Sequence, residues 1–130
     1  MSSLRLVSLV SGVYDVALGV AFLAGTAQLA RAFGVAPPVP PVLGDTNGLF
    51  LLAIGLGYWL PWRDPERWRA YLWLMGPFLK GGGAFVFLRD VLVRDSPPAF
   101  VLFAVSDGAL ALWTLIVLLA SRARAQGAAG

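Results

Sequence analysis

The chain has 130 residues, 58% of them hydrophobic, with a mean hydropathy of +0.77 and a net charge of +3. Charged residues make up only 13%, against about 25% in an ordinary soluble domain, and a chain this small cannot hide so much apolar surface in its own core. It contains no cysteine and no histidine, which excludes disulfides, thiol chemistry, imidazole-ligated haem, Ser-His-Asp triads and the usual zinc sites, so no metal and no cofactor is expected.

Four long apolar runs follow in order, each near the roughly 20 residues that cross a hydrocarbon layer. The first covers 4–24, "LRLVSLVSGVYDVALGVAFLA". No small-residue cleavage site ends it, so it is expected to stay as a span and not to leave as a signal peptide. Residues 25–33, "GTAQLARAF", suit a short interfacial helix. The stretch 34–44, "GVAPPVPPVLG", holds four prolines and reads as an extended, stiff connector at the membrane surface. The second span covers 45–62, and Asp45 stands where a capping residue would. "RDPER" (63–67) is a charged turn broken by Pro65. The third span covers 68–88, the turn "VRDSPP" fills 93–98, and the fourth span covers 98–120. The tail "RARAQGAAG" is expected to fray. Open strands would leave backbone groups unpaired in lipid, so the fold class is an all-α, integral membrane, antiparallel four-helix bundle in one domain.

Arginine placement sets the orientation. Arg5, Arg63, Arg67, Arg69, Arg122 and Arg124 fall on one side, and Arg31, Arg89 and Arg94 on the other. That excess puts both termini in the cytoplasm. Basic residues flanking apolar spans mark orientation, and no nucleic-acid partner is expected. Trp59, Trp62, Trp68, Tyr71 and Trp73 cluster about the 63–67 turn as an interfacial aromatic belt.

Three charged residues lie inside the spans. Lys80 lies ~18 Å from the cytoplasmic end of the third, Asp15 ~17 Å into the first, and Asp107 ~14 Å from the far end of the fourth, at 1.5 Å per residue. All converge near the midplane, where one charge costs roughly 2.5–3.5 kcal/mol. Lys80 is therefore expected to point inward as counter-ion of Asp15, Asp107 or both. One lysine does not neutralise two carboxylates, so a shared proton, a cation or a ligand must supply the balance. Asn47, near the start of the second span, is placed to reach inward. Ser11, Gly12 and Gly19 share the Asp15 face of the first span, and Gly48 and Gly55 line one side of the second, as in helix–helix contacts within membranes. Gly81, Gly82 and Gly83 are expected to let a neighbouring backbone approach the lysine, and Pro77 to free the carbonyl of Trp73. The same Asp–Lys–Asp set is also what a purely structural register-fixing cluster would need. "YDVALGVAFL" (14–23) and "SDGALALWTL" (106–115) are weakly similar, as after a two-helix duplication.

The length, the four spans, the aspartates of the first and fourth spans, "RDPERWR" and the Lys80-Gly81 pair together resemble the small bacterial four-span proteins of the broad DoxX-like type. That resemblance implies a bacterial inner-membrane location. The chain is also similar in size and span number to the small multidrug resistance transporters, with Asp15 at the place of their first-span glutamate. Lys80 and the Pro-rich connector depart from that pattern. The expected function is non-enzymatic: Asp15, Lys80 and Asp107 form the floor of a pocket and Asn47 stands nearer its mouth. The pocket takes a small amphipathic or lipid-like molecule, or the chain serves as an accessory subunit of a membrane complex. The alternative is a proton-coupled small-molecule transporter acting as a homo-oligomer. A lipid-modifying enzyme would need the two aspartates as acid and base, in competition with the lysine.

Overall fold

The computed structural model describes residues 1–127, and all its regular structure there is helical. The first helix, α1 (Ser3–Ala32), begins where the Ser2 hydroxyl accepts from the Arg5 amide. It is followed by α2 (Val42–Gly57) and a short helix α3 (Trp59–Arg63). Next, α4 (Arg69–Trp73), a π-helical stretch (Leu74–Lys80) and α5 (Gly81–Val93) form one continuous rod. The last helix is α6 (Phe100–Gly127). The result is four rods. Ser3–Ala32, Arg69–Val93 and Phe100–Ala123 are each long and apolar enough to cross a membrane. The expected fraying of the tail is not seen as far as Gly127, and residues 128–130 lie outside the described residues.

A short helix follows the first span as expected: α1 is two helices joined across a kink at Gly25, whose backbone is not helical, and the second of them ends at Ala32. Several expected boundaries are corrected. The second span starts earlier than expected, at Val42, because Pro41 ends the proline run and the chain is free to coil after it. The last residues of 34–44 are therefore helical. Asp45 lies inside the first turn of α2 and is not its cap. The second rod breaks at Tyr58. Pro61 has no N–H to offer the carbonyl of Gly57, so the helix cannot run on unbroken. Pro77 acts differently. A π turn pairs N–H groups with carbonyls five residues back and absorbs the missing donor, so the third rod continues past it.

The rods form two pairs. α1 packs along α2, and the third rod packs along α6. α1 also meets α6, while the third rod faces α1 across an interior space. Polar contacts fix an antiparallel arrangement. Arg5 donates to the Arg63 carbonyl at 3.1 Å, tying the start of α1 to the end of α3. Arg69 donates to the Leu118 carbonyl and to Ser121, both at 2.6 Å, tying the start of the third rod to the far half of α6. Between these ties sits the apolar core of Leu4, Tyr58, Leu72, Val117 and Leu118. Tyr71 donates to the Ile54 carbonyl at 2.6 Å and packs edge-on against Tyr58. One end of the bundle is thus closed and well packed.

The α1–α2 seam is made by glycine. A Cβ at Gly19 would lie 2.6 Å from the Leu52 amide nitrogen, and one at Gly55 would lie 2.6 Å from that of Val16. Gly12 and Gly48 meet Tyr58 and Phe22 across the same seam. The Gly81–Gly83 run does not play this part. Gly82 faces open space, and Cβ atoms at Gly81 and Gly83 would sit at ordinary distances from Ala111 and Asp107. The close approach on the third rod is at Gly76, where a Cβ would fall 2.5 Å from the Thr114 methyl. Gly55→Leu should therefore destabilise the protein by about 1–3 kcal/mol through overpacking. Gly82→Ala should be neutral or stabilise it by roughly 0.5–1 kcal/mol. Thermal unfolding of the two purified variants checks this, and equal melting temperatures would contradict a glycine-packed seam.

Candidate functional site

Asp15 and Lys80 meet although 65 residues separate them. The Lys80 ammonium donates to Asp15 Oδ1 at 2.5 Å, with the two side chains 6% and 1% exposed. Asp107 joins more loosely: its Oδ1 is 3.7 Å from the same ammonium and its side chain is 19% exposed. The expectation that one lysine would face both carboxylates is the observed geometry, and the two contacts are unequal. The ring of Tyr14 lies 4.8 Å from the Lys80 nitrogen and adds a cation–π contact. The Tyr14 hydroxyl pairs with that of Ser106 at 2.7 Å, linking α1 to α6 beside the charges.

Local sequence explains how each group gets there. Asp15 lies on the buried face of α1 with Ser8, Ser11, Gly12 and Gly19, the helical spacing of one stripe. Lys80 is the last residue of the π stretch, and the Pro77-induced turn sets its direction. Its four-carbon stem crosses the gap between the third rod and α1 and so needs no close backbone contact. Asp107 is one turn before Ala111 and two before Thr114, both buried on α6.

These charges floor a cavity of about 750 Å³. Its walls come from all four rods: Leu18 and Phe22 from α1, Phe50 and Leu51 from α2, Phe87 from α5, Phe100 and Phe103 from α6. The rings of Phe87, Phe100 and Phe103 contact one another, and Phe33 packs on Phe103. Val35, Ala36 and Pro38 of the Pro-rich connector also line the space. That connector is therefore part of the mouth and not merely a surface spacer. Asn47 is exposed and lines the cavity at the connector end, away from the charges. The cavity extends from the charges to the connector, at the end opposite the closed core.

Past the floor, the polar line continues. Ser11 Oγ, Asp15 Oδ2 and Tyr58 OH are buried and have no hydrogen-bond partner within the protein. Other buried hydroxyls differ, since Ser8 and Thr114 bond to the carbonyl four residues earlier, each at 2.7 Å. A buried polar atom left unpaired costs about 1–3 kcal/mol.

Sequence reasoning missed Tyr14, Tyr58 and the phenylalanine wall. Tyr14 carried a signal, a phenol next to a buried aspartate in mid-run. The phenylalanines carried none, because an apolar side chain reads the same whether it faces a cavity, a core or lipid. No family model, curated protein or solved structure matches this chain.

Removing one partner of a buried ion pair strands the other. Lys80→Met alone should cost about 3–5 kcal/mol, and Lys80→Met with Asp15→Asn should recover most of it. A double-mutant cycle by thermal or denaturant unfolding measures this. Strictly additive single effects would mean that the pair is not coupled.

Proposed function

We propose that this chain is a multi-pass protein of the bacterial inner membrane that holds a small amphipathic molecule in the cavity between its helices. The single observation that carries this reading is the cavity itself: about 750 Å³, walled by aliphatic and phenylalanine side chains and ended by Asp15, Lys80 and Asp107. A volume of roughly 300–1,000 Å³ with apolar walls and a few convergent polar groups is the ordinary form of a small-molecule site. An apolar tail lies along the phenylalanines and the polar end reaches the charges.

Embedding in a membrane is supported by the outer surface. Val13, Leu49, Phe78, Phe85, Leu92, Val105 and Leu112 are all more than half exposed and occur on every long rod. Helices apolar on their outward faces as well as their inward ones suit a lipid solvent. With the arginine-rich end in the cytoplasm, the connector end of the cavity lies toward the other side. The second rod is the short one: α2 has 16 residues and ends at the break before α3. Local thinning of the bilayer accommodates such a length.

A second reading, proton-coupled transport by an oligomer, is favoured by one observation. Ser11, Asp15 and Tyr58 carry buried atoms without a hydrogen-bond partner, and they lead from the cavity-lining Asp15 to Tyr58 in the closed core. A proton passing between cavity and cytoplasm would meet them in turn. In proteoliposomes this reading expects uptake driven by a pH gradient and abolished by Asp15→Asn.

Two experiments test the leading reading. A diazirine-bearing alkyl amphiphile should label wall residues such as Phe22, Phe87 and Phe103. Leu18→Trp, which fills the cavity, should cut that labelling by about an order of magnitude if a filled pocket excludes the tail. Labelling that Leu18→Trp leaves unchanged would refute the site. For topology, the absence of native cysteine allows single-cysteine reporters. Val39 and Trp59 are 86% and 56% exposed at opposite ends. A membrane-impermeant maleimide should modify Val39→Cys in intact cells and Trp59→Cys only after permeabilisation; the reverse pattern would invert the orientation.

A further inference from the structure

We propose that the polar end of the molecule held in the cavity is a cationic amine, seated against Asp107. This rests on the reading of the cavity as an amphiphile site and adds the chemical class of its ligand.

The charge balance points there first. Asp15, Asp107 and Lys80 are the only charged residues among the described residues lining the cavity. With both carboxylates ionised, one ammonium leaves a formal charge of −1 in an apolar enclosure, to be balanced by a shared proton or by a cationic ligand. An anionic ligand would bring a further negative charge to that floor. A neutral one would leave the existing imbalance in place. A cation cancels it, and in a low-dielectric site that difference is large.

The geometry then chooses the carboxylate. Lys80 is committed to Asp15 at 2.5 Å and reaches Asp107 only at 3.7 Å. Asp107 is also the more exposed of the two, 19% against 1%. Across from its Oδ2 stands Gly83, where a Cβ would lie 3.7 Å away. The missing side chain keeps that oxygen clear on the cavity side. A larger residue there would cover it. Tyr14, Phe87 and Phe103 line the same cavity, and aromatic faces attract cations. An ammonium group can donate to a carboxylate and lie against such rings at once. The distribution of acceptors suits a primary or secondary amine on one apolar tail.

The test uses the full chain in phosphatidylcholine nanodiscs and three chain-matched probes: dodecylamine, dodecanol and dodecanoate. Each competes with the diazirine amphiphile for labelling of the cavity wall. A charge-assisted hydrogen bond contributes about 1.5–3 kcal/mol, so dodecylamine should compete about tenfold to a hundredfold better than dodecanol, with dodecanoate weakest. Asp107→Asn should reduce dodecylamine to the level of dodecanol. Gly83→Val, which screens the Asp107 carboxylate without changing any charge, should lower the amine preference in the same direction and keeps the test open if Asp107→Asn misfolds. Dodecanol or dodecanoate competing as well as dodecylamine against the wild type would overturn the amine assignment while leaving the cavity as an amphiphile site. Competition by none of the three would overturn both.

Discussion

The Lys80–Asp15 ion pair is the contact around which this bundle is arranged. It joins the third rod to the first across a space where their backbones do not pack closely. Each member is almost wholly buried, so neither tolerates loss of the other. The rest of the interior adapts to it. The π stretch directs the lysine, the Ser11–Asp15 stripe presents the carboxylate, and the glycines of that same stripe draw α2 tightly onto α1. The cavity exists because a long lysine stem, and not a row of interlocking side chains, spans the gap.

The two ends of the molecule consequently differ in physical character. One end is closed by the Leu4–Tyr58–Leu72–Val117–Leu118 core and by two arginines bonded to backbone carbonyls. The other holds the cavity, lined with phenylalanine and bordered by the Pro-rich connector. The charges sit at the boundary between them. This division allows a small chain to combine a stable closed end with accessible interior volume, because stability and ligand access draw on different residues.

Much of this was legible beforehand because charge and glycine are conspicuous in an apolar chain. The inward position of Lys80, its meeting with both aspartates and the glycine faces of α1 and α2 follow from depth and helical spacing alone. What was hidden depends on backbone detail or on partners distant in sequence. Pro77 and Pro61 look alike in the sequence, yet one yields a π turn within a continuous rod and the other a break. Three consecutive glycines drew attention as a close-contact site, while the solitary Gly76 makes the contact, because its opposite number is the β-branched Thr114. The connector looked like a spacer because its prolines say how stiff it is and nothing about what it borders.

The π turn has one more implication, for how this chain can vary over evolutionary time. An α-helix advances about 100° per residue, so one residue gained or lost rotates everything beyond it by that amount. On the third rod, Arg69 must face α6 while Lys80 must face α1, and the wide turn between them sets the angle that satisfies both. Substitutions within Leu74–Phe78 can preserve that angle. A single-codon insertion or deletion there cannot: it would turn Lys80 away from Asp15 on α1. Lineages descending from this sequence should therefore be free to change side chains along the segment while keeping its length fixed.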